Sequence, residues 1–69
     1  MNIEYDKSAD AAYIRLNKGK VKHTIKLKDC LIVDVDKNDK ILGIEILDFS
    51  EQIPKKEFAN AIREKVSVF

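Results

Sequence analysis

The stretch DVDKNDKILGIE, residues 34–45, decides how this chain is read. Two structures compete for it. In a calcium loop, Asp34, Asp36, Asn38 and Glu45 fall at positions one, three, five and twelve, with Ile41 at the apolar position eight. In a β-hairpin, the same acids alternate with Val35, Leu42 and Ile44 on two strands joined across Asn38 and Asp39. The flanks favour the hairpin. A calcium loop of this type needs a helix on each side and a glycine at position six, which here is Asp39. The segments before and after it alternate and are rich in β-branched residues.

Outward from this hairpin, period-two alternation continues in both directions from residue 3 to residue 47. Ile3 and Tyr5 begin it. Ala12, Ile14 and Leu16 follow, then Val21, His23, Ile25 and Leu27, then Leu31, Val33 and Val35, then Leu42, Ile44 and Ile46. Five strands with a shared apolar face result. Keeping those faces together fixes the register, because a one-residue slip inverts a strand. Pairing Tyr5 with Asp10 leaves a turn at residues 6–9, and pairing Leu16 with Val21 leaves a turn at 17–20 around Gly19. Pairing Leu27 with Leu31 leaves 28–30, and pairing Lys37 with Lys40 leaves Asn38 and Asp39. The predicted sheet is a five-stranded antiparallel meander.

The period changes after residue 48. Phe58, Ile62, Val66 and Phe69 fall three or four apart beside Ala59 and Ala61, and Pro54 suits a first helical position. The spacing predicts one amphipathic C-terminal helix of about three turns. Such a helix is too short to stand alone and is expected to pack on the apolar face of the sheet. The fold class is α+β, a single domain over residues 1–69.

Composition narrows the function. The chain has 69 residues, one cysteine and one histidine, which excludes an internal disulfide and leaves no zinc-type ligand set. Charged residues make up 36% of the chain, but the net charge is +1, so bulk electrostatics favour neither nucleic acid nor a membrane surface. The first residues carry no signal-peptide pattern, and no apolar run is long enough for a membrane helix. The expected setting is cytoplasmic, with Cys30 reduced. No metal, cofactor or catalytic residue is expected. An enzyme acting through Asp34, Asp36 and Glu45 is the weakest reading, because a flat sheet rarely builds a concave pocket. His23 is expected to be a neutral core histidine, and Cys30 a turn residue.

Two surfaces remain as binding candidates. Tyr13, Ile32, Ile41 and Leu47 fall on the outer face, where a solvated sheet would not carry so much apolar area. One helix cannot cover both faces, so a homodimer or a small protein partner is expected there. The alternative is a nucleic-acid-associated protein using a stripe of Lys18, Lys20, Lys22 and Lys26 on the second and third strands. Acids on the neighbouring strand oppose that stripe, with Asp36 across from Lys22.

Three segments also resemble a known family: YDKSADAAYIRL at 5–16, the threonine-bearing strand after it, and CLIVDVDKNDKILGIEILDFS at 30–50. The chain resembles the small prokaryotic proteins catalogued as domain of unknown function 2283. The positions that carry the likeness are Tyr5, Asp6, Asp10, Tyr13, Ile14, Asp34, Asp36, Gly43, Ile44, Glu45, Ile46 and Leu47. Asp39 stands where the family often has glycine, which bears on the turn type. The resemblance implies a small α+β fold and no established activity or cofactor. Some such proteins look as if they are encoded beside small toxin-like proteins, which implies an antitoxin-like binding role.

Overall fold

The computed structural model describes residues 2–63 and 67–68, with side chains described for residues 2–60. The five predicted strands are present: β1 (Asn2–Asp6), β2 (Ala11–Arg15), β3 (His23–Lys28), β4 (Leu31–Val35) and β5 (Ile41–Ile46). They are followed by a four-residue helix α1 (Phe49–Gln52), a nine-residue helix α2 (Lys55–Arg63) and a two-residue strand β6 (Ser67–Val68).

The strand order is not that of a meander. It runs β3-β4-β5-β2-β1-β6, with β6 parallel to β1 and every other pair antiparallel. β2 pairs with β5, and the predicted hairpin of Leu16 with Val21 does not form. Three consecutive strands joined by hairpins, with an earlier strand laid beside the last of them, make a Greek key. The reason lies at the end of β2. Leu16 N–H and Asn17 N–H both donate to the Leu42 carbonyl, at 2.9 and 3.1 Å, and the Asn17 amide donates to the Ile41 carbonyl at 2.8 Å. These bonds hold the chain against the start of β5, and residues 16–22 then cross to the far edge of β4. Gly19 permits the close passage, since a Cβ there would sit 2.9 Å from Leu42 Cδ2.

The hairpin turns differ from expectation by one residue each. β1 and β2 pair through Asp6 and Ala11, so the turn is 7–10, with the Asp6 carboxylate accepting from the Ser8 and Ala9 amides. β3 and β4 close on Lys28 and Leu31 across Asp29 and Cys30. In the β4–β5 turn, Asp36 N–H donates to the Lys40 carbonyl, and Asp39 adopts φ 63°, the left-handed residue of a three-residue loop. Aspartate tolerates that conformation, so glycine is not required there.

The apolar faces do share one side. Tyr5 lies opposite Ala12, Ile14 opposite Ile44, Val33 opposite Ile44 and Ile25 opposite Val33. Ala11 and Ala12 are buried, Ala12 completely, as suits a strand with neighbours on both sides. Among the described residues, the helical cover packs on the β1 side. Tyr5, Phe49 and Phe58 form a triangle with ring centroids 5.3 to 5.9 Å apart. The predicted helix corresponds to α2, and the short helix α1 before Pro54 was not expected. Phe58 N–H donates to the Pro54 carbonyl, which puts Pro54 at the cap just before α2. The expected helical residues Val66 and Phe69 lie outside the described residues, as does the Ile62 side chain; Ser67 and Val68 are strand rather than helix.

One carboxylate joins the sheet to the helices. Asp10, at φ 51°, receives the Tyr5 hydroxyl at 2.7 Å, the Ser50 amide at 3.0 Å and the Ser50 hydroxyl at 2.7 Å. The residue preceding α1, Asp48, makes no side-chain cap, so Asp10 caps this helix from a distant turn. The Tyr5 hydroxyl bond and then the Ser50 bonds hold the Asp10 carboxyl below its usual range, and the same bond to Asp10 pushes the Tyr5 phenol up to about 12. A lowered carboxyl contributes stability that is present above about pH 4 and lost as pH falls through the folded-state value. Asp10→Asn keeps the left-handed backbone but removes the charge. Its melting temperature is expected to fall by roughly 5 °C at neutral pH. Its stability should also decline less steeply than the parent's between about pH 5 and pH 2. Unchanged acid sensitivity in the variant would contradict this assignment.

Candidate interaction surface

The outer face is stitched across five strands by side chains. Tyr13 on β2 donates its hydroxyl to Asp34 Oδ2 on β4 at 3.0 Å, passing over β5. It can do so because the strand between has Gly43, where a Cβ would overlap the Tyr13 hydroxyl and ring. Thr24 on β3 donates to the other Asp34 oxygen at 2.8 Å. On the opposite side, Arg15 lies 5.3 Å from the Tyr13 ring centroid and 3.4 Å from Glu4 on β1. Desolvation first, and the Asp34 bond second, raise the Tyr13 phenol above its ordinary value.

Of the expected outer apolar set, Ile41 changes face. Tyr13, Ile32 and Leu47 are half-buried within the single chain. Ile41 does not join them. A bulge gives β5 one residue more than β4, so Ile41 pairs with Val35 on the apolar side. The acids of residues 34–45 are likewise separated. Asp34 serves Tyr13 and Thr24, whereas Asp36 accepts the Asn38 and Lys40 amides at 2.8 and 3.0 Å. Those two backbone bonds hold the Asp36 carboxyl below its usual range. Glu45 stands opposite Tyr13 and Ile32 on β5. Among the described residues, no group of three potential metal ligands converges.

The lysine stripe is broken by the same topology. Lys18, Lys20 and Lys22 lie in the connection between β2 and β3, and Lys26 stands on β3 opposite Ile32, 3.6 Å from Asp29. Lys20 and Lys22 instead meet Lys37 around a cleft of about 440 Å³ that Val21, Asp36 and Asn38 complete. His23, expected in the core, is exposed at the start of β3. Cys30 is half-buried in its turn, where its carbonyl accepts the Leu47 amide at 2.9 Å.

The surface that sequence reasoning missed is on the other face. All six residues of β3 are exposed, including Ile25 at 43% and Leu27 at 60%. Leu16, just after β2, Val21, in the connection before β3, and Ile41, at the start of β5, are exposed as well. A signal for this was present. Strands about 4.8 Å apart make a five-stranded sheet roughly 19 Å wide, and a helix about 10 Å across covers half of it. With the aromatic cover at β1, the far edge is left bare. The backbone groups of alternate β3 residues also point away from β4, toward no further strand among the described residues.

Gly43→Ala tests the outer network. The added methyl displaces the Tyr13 ring and breaks its bond to Asp34, at a cost of about 1–3 kcal/mol. A spectrophotometric titration should then show one tyrosine moving down toward about 10. A variant whose tyrosines titrate as in the parent would contradict the packing of Tyr13 on Gly43.

Among the described residues, no helix is long and apolar enough to cross a membrane. Neither a curated protein nor a solved structure matches the chain. A family model does: the one described as "Protein of unknown function (DUF2283)" matches residues 2–50. That segment runs from β1 to the serine held by Asp10, and so includes all five antiparallel strands. The chain therefore belongs to this family of proteins of unknown function, as the spacing of its tyrosines, acids and glycine suggested.

Proposed function

We propose that the chain is a non-enzymatic protein-interaction module that receives a strand of a partner protein along the free edge of β3. One observation carries this reading: β3 is an edge strand whose six residues are all exposed, and its Ile25 and Leu27, with Val21 just before it, Leu16 just after β2 and Ile41 at the start of β5, are the exposed large apolar residues. An added strand gains main-chain hydrogen bonds from the edge, and its alternate side chains extend the apolar face. An antitoxin-like role is a special case of this reading, with a small toxin-like protein as the partner.

A homodimer is the second reading, and a different property of the same patch favours it. Those five side chains carry no charge, so two copies packed face to face would meet without like-charge repulsion. This replaces the outer face as the dimer surface, because Tyr13 and Asp34 are already engaged with each other. The acids at 34, 36 and 45 do not share a pocket, which argues against the enzymatic reading.

The test is capture from the native host followed by reconstitution. The purified partner should slow hydrogen exchange of the β3 amides. Ile25→Lys with Leu27→Lys should abolish its binding while changing stability by less than about 0.5 kcal/mol per site. Protection centred on Tyr13, Ile32 and Leu47, or binding indifferent to the double variant, would overturn this proposal. Sedimentation of the isolated protein separates the two readings, since only the dimer reading expects reversible self-association in the absence of a partner.

A further inference from the structure

We infer that the strand received by β3 is acidic, with Glu or Asp alternating with β-branched or aromatic residues. The inference rests on the interaction-module reading and names the chemistry of its partner. Residues 18–28 contain five lysines and no acid. Within β3, Ile25 stands on the apolar side opposite Val33, whereas Thr24 and Lys26 stand on the other side opposite Asp34 and Ile32. A bulge between Lys26 and Lys28 sets Lys28 opposite Leu31 on the apolar side, so the edge carries a lysine on each face beside Ile25. A strand laid beside it meets both faces in alternation.

The end of the edge adds to this. At its His23 end, Lys20, Lys22 and Lys37 converge on the cleft beside Asp36. Asp36 offsets part of this charge, but three lysines line the cleft against one carboxylate, so it stays net positive. Among the described residues, none of these three lysines lies within 4.0 Å of a carboxylate, whereas Lys26 reaches Asp29 in an exposed pair. An acidic residue at the end of the incoming strand would enter this cleft.

The same charges argue against β3 pairing with β3 of a second copy. Edge-to-edge pairing would set against each other two edges that each carry Lys26 and Lys28, with Lys22 just before them. Like charges placed across a ladder are destabilising, and lysines on an edge are a recognised barrier to self-pairing. An acidic strand turns that barrier into complementarity, which sets partner choice and speeds encounter at low salt.

The probe is a labelled synthetic peptide of about ten residues that alternates Glu with Val and Ile. Its counterpart has Lys in place of every Glu. Binding to the full chain is read by fluorescence anisotropy, and its location by amide shifts. The acidic peptide should bind at least tenfold tighter than the basic one at low salt. Its shifts should centre on residues 23–28, and salt should weaken it. The triple variant Lys22→Glu, Lys26→Glu, Lys28→Glu, folded by its amide spectrum, should reverse the preference. Equal affinity for the two peptides would overturn the acidic assignment. So would an unreversed preference, shifts on the outer face, or no binding by either peptide. The captured partner's exchange footprint decides the underlying reading separately: a partner that protects β3 yet presents no acidic strand would leave that reading standing and this inference refuted.

Discussion

Tyr13 lying flat over Gly43 to reach Asp34 is the contact on which the arrangement of the sheet depends. It requires β2 and β4 to flank β5, because the phenol must cross one strand that has no side chain in its path. That places β5 in the middle of the order β4-β5-β2 and sends β3 to the edge. A meander would put β3 beside β2 and separate Tyr13 from Asp34 by a different set of strands. Thr24 then completes the row by donating to the second Asp34 oxygen.

A second polar centre organises the opposite face and end. Asp10 ties the hydroxyl of Tyr5 to Ser50 and so fixes where the chain leaves the sheet. The aromatic triangle follows from it, since Phe49 adjoins Ser50 and its amide donates to the Asp10 carbonyl at 2.8 Å. The helical cover is therefore anchored at β1 and β2. A cover anchored at one edge leaves the other bare, and the exposed Ile25 and Leu27 result from that geometry.

Much of this was legible in the sequence, because it is local. The alternation around Val33, Val35 and Ile44 located the strands and their common apolar face, and residues 34–45 resolved as a hairpin rather than a metal loop. What local pattern could not supply was pairing between distant segments. Asn17 to Lys20 reads equally well as a tight turn and as the start of a crossing. The bonds that decide between them go to Ile41 and Leu42. Asp10 capping a helix 40 residues away leaves no local signature. The faces of two residues were misassigned for a related reason. Ile41 changes face through a bulge, which strict alternation does not anticipate, and His23 was assigned to a core that the helical cover does not reach.

Residue-by-residue hydrogen exchange of the free protein tests the strand order and the open edge together. The slowest exchange is expected in β2 and β5, at residues such as Ala12, Ile14 and Ile44, which have bonded neighbours on both sides. Alternate amides of β3 should exchange fast. Uniformly slow exchange through β3 combined with fast exchange along one side of β5 is the pattern of a meander, and would contradict this strand order.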